Sequence, residues 1–121
     1  MDVSFLDEKR FVSAKLHGTW DIDELPEALD VLREECRARQ QDLLQIDMSP
    51  LKNDALTTFE RFQLGVGAAS LSPAVRRLAT VARPDQIDSE QFGARVARNR
   101  GLDIRIFSDP KEAGPWLLRR A

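Results

Sequence analysis

The chain has 121 residues, 42% of them hydrophobic and 31% charged, with a formal net charge of −2, one cysteine and one histidine. That length and composition predict a single globular domain spanning residues 1–121. The near-neutral charge argues against a dedicated nucleic-acid binder, and no apolar run approaches the roughly 20 residues of a membrane span. Cys36 has no partner for a disulfide, and Cys36 and His17 alone make a poor ligand set for a soft metal. No cofactor motif is present. Residues 1–8 are acidic and lack the basic start and apolar stretch of a signal peptide, so a cytoplasmic location is expected.

Residues 3–6 and 11–16 are short β-type runs, and Asp7-Glu8-Lys9-Arg10 between them reads as a hairpin turn. Residues 21–39 predict a helix, because Leu25, Leu29, Leu32 and Cys36 recur at spacings of three and four. Asp21 or Asp23 caps its start, and Pro26 falls in the first turn, where its missing N–H costs nothing. Residues 43–48 form the next strand, and Pro50 stops it.

Asn53 or Asp54 is expected to cap a second helix bearing Leu56, Phe59, Phe62 and Val66. Thr57 and Glu60 also match a capping box, which leaves the start open by a turn. Gly65 and Gly67 weaken its far end. A strand follows over residues 75–81. Asp88 and Gln91 are spaced as N-cap and third residue of another helix, with Phe92 and Val96 facing inward and Gly101 ending it. Residues 104–107 are the last strand. Asp109-Pro110-Lys111-Glu112 then opens a final helix that is short or kinked at Pro115 and turns Ala113, Trp116 and Leu117 inward.

An opening hairpin followed by alternating helices and strands predicts an α/β fold. About five strands form a sheet that is largely parallel after the hairpin, and about four helices cover it. The hairpin's position at either edge of the sheet stays open.

Three stretches carry a family resemblance. His17-Gly18-Thr19-Trp20 leads from the second strand to the first helix. Leu43-Leu44-Gln45-Ile46-Asp47 ends in an acid. Gly101-Leu102-Asp103-Ile104-Arg105-Ile106-Phe107 runs into Asp109-Pro110-Lys111-Glu112-Ala113 and Trp116-Leu117. In these the chain resembles SpoIIAA-like, STAS-type domains, and more closely their STAS/SEC14-like bacterial branch. The resemblance implies a non-catalytic regulatory or protein-interaction module with a protein partner or a second copy. Its SEC14-like side implies instead a small carrier or sensor of an apolar or lipid-like ligand. The family's phosphorylated serine lies in a D-S-S-G-like motif. The matching stretch, Asp47 to Asp54, keeps the acid but lacks the Ser-Gly step, and Ser49 precedes a proline.

Ser49, Thr57 and Thr58 are therefore the candidate phosphorylation or ligand-edge positions, near the C-terminal end of a strand, where open α/β sheets bind ligands. The bland alternative makes them caps and turn residues. Phe59, Phe62, Leu64 and Val66 are the candidate interaction surface, set against a wide buried stripe. His17 reads as a surface histidine and Cys36 as a small core residue. The Arg95, Arg98 and Arg100 group reads either as an anion site or as a solvated helix end.

Overall fold

The computed structural model describes residues 1–119, so the last two residues of the expected domain lie outside the described residues. In chain order the elements are β1 (Asp2–Leu6), β2 (Val12–His17), a 3-10 turn (Ile22–Glu24), α1 (Leu25–Ala38), β3 (Leu43–Asp47), α2 (Thr58–Ala69), β4 (Arg77–Val81), a second 3-10 turn (Pro84–Gln86), α3 (Phe92–Asn99), β5 (Asp103–Phe107) and α4 (Pro110–Leu118). The fold class predicted above is the one observed.

The five strands lie side by side in chain order. β1 runs antiparallel to β2, with Ser4 opposite Lys15, and every later pair is parallel. The hairpin therefore sits at one edge. Because each β-α-β crossover steps the same way along the sheet, right-handed connections stack α1, α2 and α3 on one face. α4, which follows the last strand, covers the other.

Strand alternation sorts the side chains accordingly. Val12, Leu44, Leu78 and Ile104 point into the larger core with Leu29, Leu32 and Cys36 of α1 and Ala94 and Ala97 of α3. Ala79 and Val81 point the other way, onto Ala113, Trp116 and Leu117 of α4. β4 is buried at all five positions, as a strand covered on both faces must be. Phe11, expected inside the second strand, stands just before β2 and packs under α4.

Arg77 is the one fully buried cation in this assembly of described residues, at 4% exposure. Its Nη1 donates to the carbonyls of Trp116, Leu117 and Arg119, which end α4, and its Nε pairs with Asp103 at 3.2 Å. The guanidinium also lies over the Trp116 ring. One side chain thus satisfies the orphan carbonyls of a helix terminus and fixes that helix to the sheet.

Several helix boundaries differ from expectation. Asp21 caps the 3-10 turn through the Asp23 N–H, and α1 proper begins at Leu25. Thr57, not Asn53 or Asp54, caps α2. Asp88 lies one turn ahead of α3. Gln91, in a left-handed conformation, is the residue before that helix, while the Asp88 carboxylate accepts the Phe92 N–H.

Candidate functional site

α2 packs chiefly on α1 and α3, as an outer bridge above the sheet. Two glycines make this possible. Gly65 approaches α3 so closely that a Cβ there would lie 2.4 Å from the Gly93 carbonyl oxygen. A Cβ on Gly67 would meet Leu29 Cδ1 of α1 at 2.8 Å. Residues two apart on a helix point about 200° apart, so the two glycines seat α2 between its neighbours. The expected weakening of this helix by glycine is the accompaniment of a close fit.

The same geometry sorts the remaining α2 side chains. Phe59, Phe62 and Val66 follow spacings of three and four and share the outer face; Phe59 is 66% and Phe62 38% exposed. Val66 is half-buried in a groove against α1 that Pro26 and Ile22 also line. Leu64 corrects the sequence reading. It turns inward against the main core, on the face it shares with Arg61 and Ala68. The candidate interaction surface thus divides, and its exposed apolar part is Phe59 and Phe62. Arg100 lies over the Phe62 ring, 5.8 Å from its centroid.

Beneath α2 a cavity of about 110 Å³ opens between that helix and the sheet. Its deep end is apolar, formed by Leu16, Leu29, Leu32, Ile46, Leu78 and Ile104. Its other end, at the loops following β3 and β4, carries Asn53, Arg61, Gln86 and Asp88. Arg61 Nη1 donates to Asp88 Oδ1 at 3.1 Å, and Asp88 Oδ2 accepts the Phe92 N–H at 3.1 Å, so one carboxylate ties α2 to the start of α3. Gln86 Nε2 donates to the Met48 carbonyl and to Asn53 Oδ1.

The first turn of α2 is held at a second point. Thr57 Oγ1 accepts the Glu60 N–H and Glu60 Oε1 accepts the Thr57 N–H, both at 3.1 Å, which is the capping box read from the spacing. Glu60 Oε2 also accepts the Trp20 indole N–H at 3.1 Å. The Thr57 backbone bond first, and the Trp20 bond after it, hold the Glu60 carboxyl below its usual range.

The loop after β3 places Ser49 half-buried, with its N–H and hydroxyl both donating to Asp47 Oδ1, at 2.9 and 2.6 Å. Arg83 Nη1 donates to the Ser49 and Leu51 carbonyls, and its other nitrogens engage Asp85. That pairing lowers the Asp85 carboxyl below its usual range. Ser49 therefore sits in a turn closed by its own neighbour. Thr57 is a cap, and Thr58 is exposed at the head of α2. None of the three is among the residues lining the cavity, and no hydrogen bond among the described residues joins one of them to another.

The remaining candidates are spread apart. His17 Nε2 and Ser4 Oγ share a 2.8 Å hydrogen bond across the edge hairpin. Cys36 is buried, and desolvation pushes its thiol up to about 11. Arg95 pairs with Glu90 and Arg98 donates to the Ile104 carbonyl. Sequence reasoning missed Arg61, Gln86 and Asp88. Their signal is the pair of small residues Gly65 and Gly93, which marks a close helix contact, but the partner helix is not readable from spacing.

No family model and no curated protein matches the chain. Two solved structures share its architecture. An anti-sigma factor antagonist from Mycobacterium paratuberculosis superposes with a TM-score of 0.62 at 14% identity, covering 98% of this chain and 96% of that one. An uncharacterized protein of the DUF3478 family with a SpoIIAA-like fold, from Shewanella loihica PV-4, gives 0.57 at 18% identity, covering 96% and 92%. The fold is the SpoIIAA-like α/β fold, as the sequence resemblance implied.

Proposed function

We propose that this chain is a non-catalytic regulatory module, a single domain that docks a protein partner through the outer face of α2. The observation that carries this reading is the pair Phe59 and Phe62, exposed side by side on the outer face of α2. The likeness to an anti-sigma factor antagonist supports the same class of role. A cytoplasmic setting and a partner other than nucleic acid belong to this reading. Among the described residues no helix is long and apolar enough to cross a membrane.

The test is a double variant, Phe59→Asp with Phe62→Asp, compared with wild type by sedimentation equilibrium and by affinity capture from host lysate. Loss of self-association or of a captured partner, with an unchanged circular dichroism spectrum, is the expected result. Identical behaviour in both assays overturns the proposal. Phosphorylation at Ser49 has less support, since its hydroxyl is committed to Asp47.

A second reading is favoured by a different observation, the cavity under α2. In it the chain carries a small ligand with an apolar part, and native mass spectrometry of gently purified protein tests it directly.

A further inference from the structure

We infer that the cavity takes a small monocarboxylate amphiphile, its chain in the apolar end and its carboxylate on Arg61. This rests on the ligand-carrying reading above and names the chemistry of the ligand.

The cavity is apolar at depth and polar at one end, which suits a molecule with a tail and a head. Its volume of about 110 Å³ bounds the tail. An engineered cavity of ~150 Å³ accepts benzene, so this one takes a chain of only a few carbons. Of the charged side chains at the polar end, Arg61 is the cation with donors to spare. Nη1 bonds Asp88, whereas Nε and Nη2 have no hydrogen-bond partner among the described residues. Arg83, by contrast, spends its donors on the Ser49 and Leu51 carbonyls, Asn53 and Asp85. A guanidinium with one free edge presents the planar fork that a carboxylate matches in two parallel bonds. Asp88 at the same mouth sets the charge limit. The Arg61–Asp88 pair is already neutral, so each added negative charge is repelled by Asp88, which penalises a doubly charged phosphate head more than a singly charged carboxylate.

The experiment is calorimetric titration of the full chain with sodium hexanoate and with 1-hexanol, which has a similar chain and no charge. Wild type is expected to bind hexanoate more tightly. Arg61→Gln should weaken hexanoate at least tenfold and leave hexanol unchanged. Asp88→Asn removes the competing charge while keeping an oxygen for the Phe92 N–H, so it should tighten hexanoate severalfold. The opposed signs of the two variants separate head-group recognition from general loss of structure, and thermal unfolding of each checks its fold. Equal binding of the two probes, with no response to either variant, overturns the carboxylate assignment and leaves the carrier reading standing. Binding of neither probe overturns both.

Discussion

Gly65 in α2 faces the backbone carbonyl of Gly93 in α3 with no room for a methyl group between them: a Cβ on Gly65 would stand 2.4 Å from that oxygen and 2.7 Å from Val96 Cβ. Backbone cannot rotate aside. Gly65→Ala is therefore expected to destabilise by about 1–3 kcal/mol through overpacking, despite a helix-propensity gain of about 1 kcal/mol. At Gly67 the nearest atoms are the tips of Leu29 and Leu25, which can change rotamer. Gly67→Ala should thus stay within about 1 kcal/mol of wild type. Urea unfolding of the two variants side by side checks the contrast.

Arg77 and Asp103 form an asymmetric pair, the guanidinium 4% exposed and the carboxylate 60%. Removing the cation takes away the Arg77 bonds to the Leu117 and Arg119 carbonyls, leaves the Trp116 carbonyl with the Arg119 N–H alone, and strips the Trp116 ring of its partner. Arg77→Met is expected to cost about 3 kcal/mol. Asp103→Asn loses only a solvent-screened contact and should cost less than about 1 kcal/mol. Chemical denaturation measures both, and equal costs would refute the asymmetry.

Glu60 supplies a pH dependence. Its carboxyl titrates below the ordinary range because the ionised form accepts from the Thr57 N–H and the Trp20 indole. A depressed folded value means stability that is present above the unfolded pKa, about 4.3, and lost as pH falls through the folded one. Melting temperature should therefore drop on acidification more in wild type than in Glu60→Gln. The Trp20 emission should shift over the same acid range, and parallel melting curves for the two proteins would refute the coupling.

The elements were legible where chemistry is local. Leu25, Leu29, Leu32 and Cys36 mark one helix face by spacing alone, and Thr57 with Glu60 marks a helix start by reciprocal hydrogen bonding. Asp109-Pro110 opens α4 where expected. Boundaries failed where tertiary contacts compete with local signals. Asp88 has the residue type and spacing of a cap, yet it stands a turn early because its carboxylate also reaches Arg61. Leu64 is an apolar neighbour of Phe59 and Phe62 in sequence, but its angular position on the helix sends it inward. The site was the least legible part. A cavity is a relation among many elements, here every strand but β1 and the first three helices, and Arg61 looks like any surface arginine until α2 is placed above the sheet.

Chain-order strand pairing has a consequence for synthesis. Each strand from β2 onward docks against the one made just before it, and no strand waits for a partner encoded further downstream than its immediate successor. Such topology suits assembly from the N-terminal side as the chain emerges from the ribosome, with loop closures kept short. β5 arrives last and forms the far edge of the sheet. Arg77, placed in β4, then meets the carbonyls of α4 as the final closure, so a nascent chain halted before residue 110 would leave this cation uncovered, with Asp103 of β5 as its partner.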